Sequence, residues 1–159
     1  MSLLDNAVFD LPLYSLKNIE CDGRITAIYD GDTLTVVLDI EGIYEKHKIR
    51  MYGINAPELK GITHKEGLIS RNYLISLILG KDLELEKEYT NKEINDMLKE
   101  LKKTFRFKLL GEDKYGRILG EIYNDKECIN DLMVLNGYAE VYMVWLLKLY
   151  IYNFNNLFD

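Results

Sequence analysis

The sequence predicts an α+β domain, a small β-barrel flanked by helices. Its 159 residues, of which 48% are hydrophobic and 29% charged, suit one globular domain with a substantial core. Alternation of the β type dominates residues 23–52, in three runs joined by short turns. Helical patterns appear only later, between further short strands. This order favours a barrel with helices packed around it.

The first three predicted strands form a meander. They cover residues 23–29, 33–39 and 43–52, which are rich in Ile, Val, Thr and Leu. An Asp-Gly-Asp sequence separates the first two strands, and Glu-Gly separates the second from the third; both are turn sequences. Residues 1–22 show no clear period, so we expect them to form a lead-in arm.

Sequence breaks and caps define two helices. Pro57 ends the sheet, because proline has no amide hydrogen to donate to a strand ladder. The apolar run 68–79 ends at a glycine, which predicts a helix closed by that glycine. Thr90 and Glu93 match a capping box, and apolar residues follow them at helical spacing. We therefore predict a second helix over residues 91–103.

The remaining elements are shorter. Strands are predicted over residues 105–109 and 117–123, around a polar turn, and a helix over 127–136 ends at a glycine. A brief alternation at 83–86 predicts one further strand. The aromatic-rich tail, 141–158, follows neither period clearly.

The overall charge argues against a protein that coats nucleic acid. The formal net charge is −6 and the sequence pI is about 5.0, which argues against a broad basic face but does not exclude a small phosphate pocket. Cys21 and Cys128 are too few for a disulfide scaffold or a thiolate zinc site, and we expect reduced thiols. The start of the chain has no signal-peptide pattern, and no apolar run reaches about 18 residues, so the expected location is intracellular.

Four charged residues stand at turns and strand ends where they can share one site. Asp32 lies in the acidic turn, and Arg50 closes the third strand. Glu58 follows the rigid turn at Pro57, and Arg117 enters a later strand. Taken singly, each has an ordinary interpretation as a turn or surface residue. Together they match the needs of phosphodiester hydrolysis, which are a divalent cation, a positioned water and positive charge around the phosphorus.

At these motifs the sequence resembles the staphylococcal nuclease-like (thermonuclease) family. Four segments carry the resemblance, in the family's order: YDGDT at 29–33, IRMYGINAPE at 49–58, DKYGR at 113–117 and NDLMVLNGY at 130–138. The conjunction of the first three is specific. The resemblance covers about residues 23–145 and implies a five-stranded OB-fold β-barrel with about three helices, to which the second predicted helix is an insertion.

The resemblance also implies an activity and a set of site residues. The activity is cleavage of DNA and RNA with little sequence specificity, leaving 3′-phosphates, with Ca²⁺ as cofactor and Mg²⁺ as the alternative. Ten residues take three roles. The catalytic residues are Arg50, Glu58 and Arg117; the metal ligands are Asp32, Asn55 and the backbone carbonyl of Ala56; the substrate-binding residues are Tyr115, Lys114, Thr33 and Lys48.

The sequence departs from the family at one metal ligand. Asn55 stands where the family usually has a second acidic ligand, and it keeps a carbonyl oxygen but loses a negative charge. We expect weaker metal binding and reduced, not abolished, activity, because ligand charge tunes the affinity for Ca²⁺. An alternative stays open, namely a catalytically weak or inactive OB module that binds nucleic acid or protein. Retention of the other charged residues favours the enzyme.

The ends of the chain carry further expectations. Residues 146–159 are expected to pack on the domain as a tail, and the protein is expected to be a monomer. A dimer through the apolar tail is the alternative. Trp145 is a candidate platform for base stacking, or packs on the barrel. The expected partner is a DNA or RNA substrate, with no membrane and no obligate protein partner.

Overall fold

The computed structural model describes residues 14–142, which form a β-barrel with three helices and a short accessory sheet. The barrel strands are β1 (Ile19–Ile28), β2 (Thr33–Ile40), β3 (Ile43–Met51), β5 (Phe105–Glu112) and β6 (Ile118–Asn124). The helices are α1 (His64–Leu79), α2 (Asn91–Leu101) and α3 (Ile129–Leu135), and a 3₁₀ turn, Gly61–Thr63, precedes α1. Three two-residue strands complete the list: β4 (Ile54–Asn55), β7 (Glu127–Cys128) and β8 (Glu140–Val141).

The barrel is closed by one parallel pairing. Its strands follow the order β3–β2–β1–β5–β6 with antiparallel neighbours, and β3 then pairs in parallel with β6, where Ile49 lies opposite Ile118. Closure removes the free edges that a flat sheet of five strands would expose. The predicted α+β fold, a five-stranded OB-fold barrel with helices around it, is confirmed.

Alternating side chains fill the barrel interior. Leu34, Val36 and Leu38 on β2 are almost completely buried, and the residues between them are only partly buried. Phe107 and Ile122 enter the same core from β5 and β6. Each such aliphatic or aromatic side chain contributes roughly 1.5–3 kcal/mol when it is fully buried.

Two helices pack on the end of the barrel that carries the acidic turn. Helix α1 ends at Gly80, whose φ of 65° is the left-handed conformation that glycine adopts without strain. Helix α3 is held by Asn130, whose side-chain amide donates to the carbonyls of Tyr52 and Gly120 and whose oxygen accepts from the amide of Ile122. Tyr138 follows α3 and stacks on Tyr73 of α1 with ring centres 3.8 Å apart.

Two buried polar residues of α1 hold the loop that leads into helix α2. Between α1 and α2 the chain forms a loop, and the Asn72 side-chain amide donates to the carbonyls of Leu85 and Lys87, each at 2.8 Å. Arg71 donates to the Tyr89 carbonyl at 3.1 Å. The capping box predicted at the start of α2 is present. The helix therefore has a fixed position against the barrel.

Several predicted bounds differ from the structure. Strand β1 begins at Ile19, so the last residues of the predicted arm, 1–22, belong to the barrel and pair with β5. Helix α1 begins at His64, four residues before the predicted start. The prediction followed the apolar run, and the first turn of the helix is polar. Helix α2 ends at Leu101, where Lys102 takes a left-handed conformation. Helix α3 begins at Ile129, two residues after the predicted start, because residues 127 and 128 form β7.

The strand predicted at 83–86 was wrong. In this loop the carbonyls bind the Asn72 side chain instead of a neighbouring strand. Both cysteines are free thiols. No helix within residues 14–142 is long and apolar enough to cross a membrane. Trp145 and the tail over 146–159 lie outside the described residues.

Candidate active site

A cavity of about 510 Å³ lies beside the acidic turn, where β2 and β6 begin and β3 ends. It brings together eight of the ten residues that the resemblance implicates. They are Asp32, Thr33, Arg50, Asn55, Glu58, Lys114, Tyr115 and Arg117. Ala56 is buried beside the cavity, and Lys48 lines a second cavity next to it.

Asp32 is the most enclosed carboxylate of the site. It is 5% exposed, and its two oxygens accept three hydrogen bonds or ion-pair contacts. Thr33 donates its hydroxyl to Oδ1 at 3.0 Å, the Ala56 amide donates to Oδ2 at 2.6 Å, and Arg50 Nη1 lies 3.1 Å from Oδ2. These donors fix the carboxylate in one orientation. The contact of Ala56 with the site is thus through its amide nitrogen, whereas the resemblance implicates its carbonyl.

Arg50 binds the two side chains that the resemblance assigns to the metal. The register of β2 and β3 sets Arg50 opposite Thr33, one residue beyond Asp32. Its Nη1 donates to the carbonyls of Met51 and Ile54, and its Nη2 donates to Asn55 Oδ1 at 3.1 Å. One guanidinium therefore links Asp32 to Asn55 and fastens the end of β3 to β4.

Asp30 is a second buried carboxylate, 8% exposed, in the same turn. Its Oδ1 accepts from the Asp32 amide at 3.0 Å, as in an Asx turn. Burial, with the neighbouring Asp32 charge, raises the pKa of Asp30 to about 6. The pair of carboxylates concentrates negative charge at the floor of the cavity, which favours a cation there.

Glu58 lies on the loop between β4 and α1 with its side chain exposed to the cavity. Two contacts fix the loop's backbone. The Thr63 hydroxyl donates to the Glu58 carbonyl at 2.9 Å, and α1 approaches so closely at Gly67 that a Cβ there would lie 2.5 Å from the same carbonyl oxygen. Within residues 14–142 no hydrogen bond engages the Glu58 carboxylate, so it is available to a water or a substrate.

Arg117 is oriented by Asp113, a residue to which sequence reasoning gave no role. Asp113 Oδ2 accepts from Arg117 Nε at 2.7 Å, and its Oδ1 accepts the amides of Tyr115 and Arg117. Partial burial acts to raise the pKa of Asp113, but the hydrogen bonds from Arg117 and Tyr115 outweigh it, and the pKa lies below its usual value. A pair of opposite charges four residues apart in a hairpin is the sequence signal for this arrangement. Asp113 occupies Nε, and no hydrogen bond within residues 14–142 engages the two Nη groups, so they are available to a ligand in the cavity that Arg117 lines.

Two tyrosines border the cavity. Tyr115 is 71% exposed, with the Lys114 ammonium 5.1 Å from its ring centre and the Arg117 guanidinium 5.5 Å from it. Tyr142 is 53% exposed and is held by its amide, which donates to the Gly53 carbonyl. The resemblance already places Tyr142 among the positions after Ala139 where an aromatic side chain can stack on a base. Exposed aromatic rings beside cations suit stacking on nucleobases.

The side chains of the cavity fit a hard divalent cation by donor type. Asp32 and Asn55 offer oxygen atoms, as Ca²⁺ and Mg²⁺ prefer, and the buried Asp30 adds negative charge behind them. This set of ligands carries less negative charge than a site built only of carboxylates. Among residues 14–142 no three His, Cys, Asp or Glu side chains are grouped closely enough to hold a metal by themselves. Water and substrate oxygens are needed to complete such a shell.

Fold and site together define the class: a closed OB-type barrel that carries acidic and basic side chains around one cavity at its end. The family model described as "Staphylococcal nuclease homologue" matches residues 48–150. The chain belongs to this family.

The curated relatives carry nuclease names. The chain is 34% identical over 101 residues to the "Probable staphylococcal-like nuclease CAN3" of Oryza sativa subsp. japonica, a match that covers 64% of this chain and 20% of the rice protein. It is 31% identical over 121 residues to an "Uncharacterized endonuclease" of Escherichia coli, covering 76% of this chain and 60% of that protein. The chain thus spans about a fifth of the rice relative's length.

Proposed function

We propose that this domain is a nuclease that hydrolyses phosphodiester bonds of DNA or RNA with little sequence specificity and depends on a divalent cation, Ca²⁺ or Mg²⁺. The observation that carries the proposal is the convergence of Asp32, Arg50, Glu58 and Arg117 on one cavity. A barrel that only binds nucleic acid has no need of this set. The nuclease names of the relatives support the same conclusion.

In the proposed reaction the protein positions a water and neutralises charge. Glu58, whose carboxylate has no partner among the described residues, accepts a proton from the water that attacks the phosphorus. A P–O bond forms to the oxygen of that water, and the bond to the leaving 5′-oxygen breaks, which leaves a 3′-phosphate. The leaving 5′-oxygen takes a proton from solvent, and Glu58 releases its proton to solvent. The Nη groups of Arg117 donate to the phosphate oxygens as charge increases there.

A divalent cation supplies further charge neutralisation and lowers the pKa of bound water. Asp32, Asn55 and the carbonyl of Ala56 are the proposed ligands. Arg50 has a double task in this scheme. It holds Asp32 and Asn55 in place, and the role proposed for its remaining donors is to bind the substrate phosphate. Tyr115, Lys114, Thr33 and Lys48 are the proposed substrate contacts.

The test is digestion of plasmid DNA and single-stranded RNA with Ca²⁺, with Mg²⁺ and with a chelator. The wild-type protein should cut in the presence of a metal and stop on chelation. Glu58→Gln, which keeps the shape of the side chain and removes the base, should lower turnover by about a hundredfold or more. Retention of the wild-type rate by Glu58→Gln contradicts the proposed mechanism.

A second function remains, which Asn55 favours because it removes one acidic metal ligand. In this alternative the domain binds nucleic acid or a protein and cleaves nothing. It predicts that the wild-type protein binds a labelled oligonucleotide but leaves it intact with either metal. The same digestion experiment distinguishes the two functions.

A further inference from the structure

A second cavity, of about 420 Å³, adjoins the candidate active site on the side of α2. Asp30, Thr33, Glu58 and Arg117 line both cavities, so these residues form the boundary between them. The cleft, as we call this second cavity, is otherwise lined by residues outside the family motifs or at their margins. They are Ala27, Ile28, Tyr29, Leu34, Thr35, Lys48, Asn91 and Asn95.

The boundary position has a consequence for a polynucleotide. A phosphate held by Arg117 beside Glu58 has one nucleotide attached on each side. The larger cavity, with Tyr115 and Tyr142, receives one of them. The cleft has the volume of a small-ligand site and lies on the α2 side of this boundary.

The far wall of the cleft comes from the insertion. Asn91 and Asn95 are one helical turn apart, so their side chains share the face of α2 that lines the cleft. Within residues 14–142 no hydrogen bond engages either side-chain amide. Ile94 and Leu98 are buried against the core, and Arg24 donates to the Lys99 carbonyl at 2.7 Å. The amides are therefore presented from a fixed wall and are available to a ligand in the cleft.

The chemistry of the cleft suits a nucleotide. Lys48 is exposed on β3 and supplies a positive charge for a phosphate. Tyr29, which is 57% exposed, offers a ring for stacking on a base. Two side-chain amides and the Thr35 hydroxyl offer donors and acceptors for a sugar or a base edge.

We infer that the cleft between the barrel and α2 is a second nucleotide subsite, in which Asn91 and Asn95 bind the nucleotide on the α2 side of the scissile phosphate. This inference rests on the proposed nuclease function. It assigns a role to the inserted helix, which increases the contact with substrate without a broad basic surface.

Binding is tested directly, apart from catalysis. The side-chain amide signals of Asn91 and Asn95 are followed in ¹⁵N-labelled protein during titration with thymidylyl-thymidine, in the presence of a chelator. Both signals should shift with saturation, and Asn91→Ala/Asn95→Ala should weaken the binding by about tenfold, as expected for two hydrogen bonds. Thymidine 5′-phosphate has only one nucleoside, so it should occupy one cavity. It should therefore shift the signals of the residues around that cavity and leave those around the other unchanged.

Kinetics then separates binding from chemistry. The double variant should raise the KM for the dinucleotide about tenfold and leave kcat within twofold of the wild type. Lys92→Ala is the matched control, because Lys92 is exposed on the same helix and outside the cleft. A thermal melt confirms that each variant is folded.

The outcomes distinguish this inference from the proposed function. Hydrolysis without any shift of the two amide signals overturns the subsite and leaves the nuclease intact. Shifts without hydrolysis support the subsite and overturn the nuclease. An equal loss of kcat for every substrate in the double variant also overturns the subsite, because α2 would then act on the catalytic centre.

Discussion

Arg50 would compete with a metal for oxygen atoms in the proposed site. Its guanidinium lies within 3.1 Å of Asp32 Oδ2 and of Asn55 Oδ1, so a cation must share these atoms with it or displace it. An amide oxygen attracts Arg50 and a divalent cation only through its dipole. A carboxylate at position 55 attracts both through a full charge, and the divalent ion gains more from it.

Asn55→Asp should therefore tighten the binding of Ca²⁺ by about tenfold or more. Isothermal titration with CaCl₂ measures the change directly. Asn136→Asp, which adds the same charge at an exposed position of the turn after α3, is the control and should leave the affinity unchanged. Equal affinities of the Asn55→Asp and wild-type proteins would show that residue 55 is not a ligand.

At the residue scale the sequence predicts which side chains meet, but not which atoms they use. Eight of the ten residues share the larger cavity because their motifs end strands that the barrel brings together. The amide of Ala56 at Asp32, and Asp113 as the partner of Arg117, depend on turn geometry that residue types do not specify. The asparagines of α2 belong to no motif and became candidates only through the position of the helix.

Helix α1 positions both loops of the site through close glycine contacts. Gly31 of the acidic turn lies against Ser70, and Gly67 of α1 lies against the backbone of Glu58. A Cβ at residue 67 would come within 2.5 Å of the Glu58 carbonyl oxygen and 2.6 Å of its carbon. These are backbone atoms, which cannot rotate away as a flexible side chain can.

Gly67→Ala should consequently displace the Glu58 loop and lower kcat by about tenfold to a hundredfold, as a misplacement of about 1 Å does. The substitution raises helix propensity by up to about 1 kcal/mol, so loss of helix is not the expected cause. Ser76→Ala on the same helix is the control, and its hydroxyl contacts only the helix backbone. Steady-state kinetics with thermal melts tests the pair. Full activity of Gly67→Ala would contradict the positioning role.

At the element scale the errors of prediction share one cause. A strand was predicted over 83–86 from alternation, but two side-chain hydrogen bonds of Asn72 bind the backbone there. Strand β1 extends back to Ile19 because β5 pairs with it, although its first residues lack a β pattern. In both cases a partner distant in the sequence determines the local structure, and a local pattern does not contain that partner.

The whole molecule is acidic, yet its proposed substrate is a polyanion. Residues 82–100 hold seven acidic residues and three lysines, a net of four of the six negative charges. Long-range attraction to nucleic acid is therefore weak, and binding depends on a few cations near the cavities. Three of these cations are not bound to Asp32 or Asn55, as Arg50 is. They are Lys48, Lys114 and Arg117.

If each of these three cations neutralises one phosphate of a single strand, the logarithm of the binding constant should fall with the logarithm of salt concentration with a slope of about −2. Fluorescence anisotropy of a labelled oligonucleotide between low and physiological salt measures the slope in a chelator. Lys114→Ala should reduce its magnitude by about 0.7, and Lys126→Ala, an exposed lysine outside both cavities, should not change it. A slope steeper than about −5 would mean that a broad basic face binds the strand, which the net charge of −6 argues against.

Because few contacts hold the strand, the enzyme should release it between cuts and digest it distributively.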